Sequence, residues 1–149
     1  MVHYEEIFFE DKEALDILFS LENKHLPLIH DKIHCTFKYN PKKEEIFDDI
    51  VGNTYEVKVV GYGCDGKNSG FEIELPEELL KYYINYAEEA PNKLEVPHIT
   101  TSLTRGTKAM NTKKLNFIPL DKKYTIKGKF GYWIEDGTNE YVSYEKYKK

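Results

Sequence analysis

TYEVKVVGYGCDGKNSGFEIEL, residues 54–75, decides how this chain folds. Its first arm, TYEVKVVGY, alternates apolar and polar residues and is rich in β-branched side chains, the pattern of a half-buried strand. GCDGKNSG reads as a turn carrying Gly63, Gly66 and Gly70. FEIEL is the returning strand. Two strands joined by a short turn pair antiparallel, so a hairpin is expected here.

Reading outward, VHYEEIFF (residues 2–9) is another strand. EDKEALDILFSLEN follows, with Ala14, Leu15, Leu18, Phe19 and Glu22 at helical spacing and Asp11 as N-cap. A loop through Pro27 leads to DKIHCTFKY, which alternates as a strand. Pro41 and KKEEIFDDIVGN predict a short helix with Ile46, Phe47, Ile50 and Val51 on one face and Gly52 at its C′ position. Beyond the hairpin, LPEELLKYYINYAEEAPN (75–92) reads as the best helix. Pro76 suits its first turn, Glu77 and Glu78 suit the positive end of its dipole, and Pro91 stops it. VPHITTSL is a strand, RGTKAMNTKK a loop, and KKYTIKGKFGYWI a long strand with a glycine kink or bulge. DGTN turns the chain back into EYVSY.

The order is βαβαββαβ followed by a hairpin. It predicts one α+β domain over residues 1–149, with a largely antiparallel sheet and helices on the outer faces. A weak pseudo-repeat places a helix, then a strand carrying His-x-Thr, in each half.

Composition sets the bounds. The chain is 40% hydrophobic and 32% charged over 149 residues, globular and long enough for one core. Its net charge of −5 makes a long nucleic-acid polymer a poor partner, because such polymers bind through neutralised phosphates. Only Cys35 and Cys64 are present, which favours reduced thiols and a cytosolic setting. The N-terminus lacks the pattern of a signal peptide, and no apolar run approaches the roughly 20 residues that span a bilayer. No membrane association and no obligate protein partner are expected.

The chemistry concentrates in KIHCTF and PHITTSL. His34 and Thr36 repeat the spacing of His98 and Thr100, 64 residues later. Residues i and i+2 of a strand share a face, so each pair projects together, with Cys35 and Phe37 behind the first and Ile99 and Thr101 behind the second. If the strands are neighbours, four polar side chains converge in one groove. A neutral imidazole can take a proton from water or a ribose hydroxyl, and a protonated one can give a proton to a departing oxygen. Threonine hydroxyls can hold the non-bridging oxygens of a phosphodiester. The competing reading is two sheet histidines, each bonded to a neighbouring hydroxyl.

At these residues the chain resembles the two-histidine phosphoesterase superfamily, whose members carry paired His-x-Ser/Thr motifs on two strands of a bilobal α+β domain. The resemblance implies that His34 and His98 are an acid–base pair and that Thr36 and Thr100 bind the phosphate. It implies no metal and no cofactor. The first motif fits fully, since apolar Phe37 follows its threonine. In the second, Thr101 stands where an apolar residue is usual, which leaves the packing depth of that strand open. The short format is similar to phage phosphodiesterases that destroy cyclic-oligonucleotide immune signals, the anti-CBASS type. It is also similar to the 2′,3′-cyclic phosphodiesterase modules of RNA repair. A small nucleotide substrate and a cytoplasmic location (host cytoplasm if phage-encoded) follow from that likeness. A binding module that holds such a ligand without cleaving it would use nearly the same residues.

Around the phosphate, Arg105 and Lys108 are candidate cations on a loop made flexible by Gly106; the plain alternative is solvent-exposed loop charge. Trp133 and Tyr4 are candidate platforms for a nucleobase, against the alternative of core packing. Tyr82, Tyr83 and Tyr86 read as packing residues. His25, His30 and His34 match no zinc spacing, and Pro27 interrupts them, so no metal site is expected. His3 reads as ordinary structure.

Overall fold

The computed structural model describes residues 2–22, 26–29, 33–83, 86–87, 90–94, 96–134 and 139–140. In chain order they form β1 (Val2–Phe8), α1 (Lys12–Leu21), β2 (Leu28–Ile29), β3 (His34–Tyr39), β4 (Thr54–Cys64), β5 (Asn68–Glu74), β6 (Tyr86–Ala87), β7 (Ala90–Leu94), β8 (His98–Leu103), β9 (Ile118–Ile134) and β10 (Asn139–Glu140). The chain is therefore a mixed α+β protein, dominated by its sheet.

Seven strands hydrogen-bond in the order β2-β8-β5-β4-β9-β1-β3, and β10 adds to β9. The pairs are antiparallel throughout, and β6 with β7 makes a separate ribbon. β3 and β8 share no hydrogen-bond ladder, yet they approach within 8 Å, Cα to Cα. The six strands from β8 round to β3 thus curl into a nearly closed barrel with one seam. Two lobes are what the resemblance implies; among the described residues the eight-stranded sheet runs on without a break, apart from the β6–β7 ribbon.

Alternation explains the core. Ile7, Cys35, Phe37, Val57, Val59, Phe71, Ile73, Ile99, Ile126 and Phe130 are all buried and belong to one cluster. Each large side chain buried there contributes roughly 1.5–3 kcal/mol. Ala14 and Leu18 of α1 join this cluster. The helix starts where predicted, with Asp11 Oδ1 accepting from the Ala14 N–H at 2.7 Å. Gly128 is a packing requirement: a Cβ there would lie 2.3 Å from Ile7 Cγ2 and 2.6 Å from the Phe9 ring.

Four expectations need correction. The helix over 75–92 is only a 3-10 segment, Glu77–Tyr82, followed by the β6–β7 ribbon with Pro91 inside β7. The bonds from Leu79 N–H to the Pro76 carbonyl and from Tyr83 N–H to the Leu80 carbonyl span three residues. Aromatic and β-branched residues lose rotamer freedom in a helix, and here tertiary contacts claim them. The Tyr82 hydroxyl donates to Asp49 at 2.6 Å, and buried Tyr83 meets Phe37 edge-on. The pseudo-repeat therefore lacks its second helix.

The helix expected over KKEEIFDDIVGN likewise shrinks to a 3-10 turn, Lys43–Glu45. Glu5 Oε1 accepts from the Phe47 N–H at 2.9 Å, and the Gly52 N–H donates to the Phe130 carbonyl. Both interactions tie this segment to the sheet.

Gly63 and Gly70 are paired strand residues, and only Gly66, at φ 85°, sits in the turn. Asp65 Oδ1 closes that turn by accepting from the Lys67 and Asn68 N–H groups. In β9 the irregularity falls at residues 120–123, opposite Val60, while Gly128 and Gly131 keep regular register. Glu140 returns along β9 as expected, and Asn139, expected in the turn, pairs with Trp133 as well; the rest of the EYVSY strand lies outside the described residues. Both cysteines are free, and among the described residues no helix is long and apolar enough to cross a membrane.

Candidate active site

His34 is the first residue of β3 and His98 the first of β8. Along β3, Cys35 and Phe37 are buried in the core, so His34 and Thr36 project from the opposite face. Along β8, Ile99 is fully buried and pairs with fully buried Phe71, so His98 and Thr100 also face away from the core. All four side chains thus stand on the non-core side of the two strands that border the seam.

The β3 half is acidic and aromatic. Glu6 on β1 pairs in register with Thr36. Its Oε1 lies 3.4 Å from His34 Nε2 and accepts from Thr36 Oγ1, also at 3.4 Å. Glu6 is fully buried, whereas the His34 side chain is 15% exposed. The imidazole therefore rests on a buried carboxylate with its outer edge open to solvent. The Trp133 ring meets His34 edge-on, centroids 5.8 Å apart, and Phe8 borders it at 6.3 Å. Tyr4 sits 5.5 Å from Trp133 and 5.0 Å from Tyr39, which is 54% exposed. Tyr4 and Trp133 thus come together beside His34. Tyr39 joins them, although sequence alternation would have turned it to the other face.

The β8 half is basic and hydroxyl-rich. His98 Nδ1 lies 2.9 Å from the Val96 carbonyl. A carbonyl oxygen can only accept, so Nδ1 carries the hydrogen and Nε2 of the neutral ring holds the lone pair. Burial, then the nearby Lys113, push the His98 pKa below its ordinary value, while the bond to Val96 opposes them. Thr100 Oγ1 donates to Thr112 Oγ1 at 2.6 Å. Thr112 belongs to a 3-10 segment, Ala109–Lys114, that folds back over β8. Gly70 makes room for it, since a Cβ there would lie 2.2 Å from the Ile99 carbonyl and 2.7 Å from Thr112 Cγ2. Thr101 is fully buried, and its Oγ1 donates to the Ser69 carbonyl at 3.3 Å; the strand is deeply packed despite the missing apolar residue.

Arg105 and Lys108 are exposed on the loop beyond Leu103. His98 lies at the opposite end of β8, roughly 16 Å away along a six-residue strand. The cation that sequence reasoning missed is Lys113, whose charge acts on His98 because its 3-10 segment doubles back over β8. Glu6 was missed as well, since adjacent acids in a strand look like surface charge. Among the described residues no group of three or more His, Cys, Asp or Glu side chains is placed to hold a metal ion; His25 and His30 lie outside them. Comparison with protein-family models gives no match, and comparison with curated proteins gives none.

Proposed function

We propose that this chain is a metal-independent phosphodiesterase of the two-histidine type that acts on small ribonucleotide diesters, cyclic oligonucleotides foremost. The observation that carries the reading is the placement of both His-x-Thr faces on the non-core side of the β3–β8 seam. A phosphorus centre held in that seam lies between two imidazoles. One takes the proton of a ribose 2′-hydroxyl as it attacks the neighbouring phosphorus, and the other protonates the departing 5′ oxygen. The 2′,3′-cyclic phosphate so formed is opened by water with the roles reversed. The Thr36 and Thr100 hydroxyls rotate from their protein acceptors to the non-bridging oxygens, where negative charge grows in the transition state. Tyr4, Tyr39 and Trp133 support the choice of a nucleotide, because stacking one base on an aromatic ring is worth roughly 1–3 kcal/mol.

The test is a panel of cyclic dinucleotides, cyclic trinucleotides and an RNA ending in 2′,3′-cyclic phosphate, incubated in EDTA and read by mass spectrometry. Cleavage of at least one substrate is expected, with His34→Ala and His98→Ala each losing most of the rate. The double variant should be little worse than either, since the two act as a unit. Saturable binding of an intact ligand would instead make the chain a nucleotide-binding module. Full activity in either single variant would reject the assignment.

A further inference from the structure

We infer that the buried Glu6 carboxylate is a positioning residue that holds the proton on His34, so that His34 is the general acid and His98 the general base. This assignment of roles rests on the phosphodiesterase reading above; the Glu6–His34 pairing rests on geometry alone.

The two imidazoles have opposite surroundings. His34 Nε2 lies 3.4 Å from a fully buried carboxylate oxygen. In its ionised form a carboxylate that close favours the imidazolium, and burial keeps water from screening the pair. Among the described residues, Lys129 stands in register with Phe8 and so two strands from His34. His98 faces the reverse arrangement. Burial disfavours a charged ring there and Lys113 of the folded-back 3-10 segment repels a second proton, while the Nδ1–H bond to the Val96 carbonyl fixes the tautomer and opposes the lowering. Glu72 pairs with His98 across β5. Even so, the net effect on His98 is to disfavour the charged ring.

The step then balances. His98 Nε2 takes the 2′-hydroxyl proton while the O2′–P bond forms. The P–O5′ bond breaks as His34 gives its proton to O5′. His98 ends protonated and His34 neutral, which is the state needed for water to open the cyclic phosphate in the reverse sense. Glu6 touches neither substrate nor reacting atoms; it acts through His34 and also accepts from Thr36.

Two measurements test this. The first follows the His34 and His98 ring protons by NMR against pH in wild type and Glu6→Gln. The His34 midpoint should fall by about one pH unit or more, the usual effect of losing an opposite charge within 4–6 Å, and the His98 midpoint should stay. An unmoved His34 midpoint would overturn the pairing. The second needs no change at Glu6. It compares uridylyl-(3′,5′)-uridine with uridine 3′-(4-nitrophenyl phosphate), whose leaving group needs no acid. On the dinucleotide His34→Ala should lose about 10²–10⁴-fold, the ordinary worth of a general acid, and on the nitrophenyl ester less than about tenfold. His98→Ala should lose about 10²–10⁴-fold on both. Equal losses for His34→Ala on both substrates would overturn the acid role. If wild type cleaves neither probe and no member of the wider panel, the phosphodiesterase reading and the roles fall. A shifted His34 midpoint would still uphold the Glu6 contact.

Discussion

Replacing Glu5 by glutamine should make the folded protein less sensitive to alkaline pH. Glu5 is fully buried on β1, with Oε1 accepting from the Phe47 N–H and Oε2 without a hydrogen-bond partner among the described residues. Burial, with Glu45 and Asp48 nearby, pushes its carboxyl up to about 8; the Phe47 N–H and Lys38 oppose the rise without cancelling it. The sign follows directly. Above the ordinary value of 4.5 the unfolded chain releases this proton while the folded protein keeps it. Stability is therefore full below about pH 4.5 and is lost progressively until about pH 8. Each pH unit in that window costs about 1.4 kcal/mol, so the whole window is worth on the order of 3–5 kcal/mol. Glutamine keeps the acceptor for Phe47 and cannot ionise. Urea unfolding from pH 5 to 9 should show wild-type stability falling faster than that of Glu5→Gln, with the gap widening to several kcal/mol by pH 8. Groups remote from the site titrate equally in both proteins, so the difference isolates Glu5 and its coupling to Glu45, Asp48 and Lys38. Parallel curves would refute the reasoning.

Other consequences concern packing around the site. Gly70→Ala should destabilise by about 1–3 kcal/mol or more, because the clash is with the Ile99 backbone; urea midpoints would show it. The same substitution should lower the rate on whichever diester is cleaved, since Thr112 must move away from Thr100. Glu22→Ala should cost about 2–4 kcal/mol, again by urea unfolding, because buried Glu22 accepts from Ser69 Oγ and, at 2.6 Å, from Ser102 Oγ, holding the end of α1 to β5 and β8.

Much of the sheet was legible because its signal is local. Alternation gave β3 and the first arm of the β4–β5 hairpin, a period of two gave the inward faces of β3 and β8, and the Asp11 cap marked the start of α1. The two failed helices mark the limit of that signal. Residues 75–83 carry good helix punctuation, yet Tyr82 and Tyr83 are claimed by Asp49 and Phe37, which no local pattern encodes. The site divides the same way. The shared faces of His34 with Thr36 and of His98 with Thr100 follow from a period of two. Glu6 and Lys113 reach those faces only through strand pairing and chain reversal, and buried carboxylates are rare enough that composition argues against expecting one.

The departure of the second motif at Thr101 has a structural explanation that also ties the two half-sites together. In β3 the register runs from Thr36, opposite Glu6, to Lys38, opposite Glu5, so Phe37 is an extra residue without a partner on β1. In β8 it runs from Thr100, opposite Gly70, to Ser102, opposite Ser69, so Thr101 is extra in the same sense. Each His-x-Thr is thus followed at once by a β-bulge, which breaks the alternation and re-aims what comes next. After Phe37, the bulge brings Tyr39 round to Tyr4 beside the histidine. After Thr101, it turns Ser102 toward Glu22 and Ser69. The polar face is therefore confined to two residues on each strand, flanked by aromatics on one and buried hydroxyls on the other. The repeat glimpsed in the sequence is real at the level of the strands: His-x-Thr and then a bulge, with no second helix needed to place it.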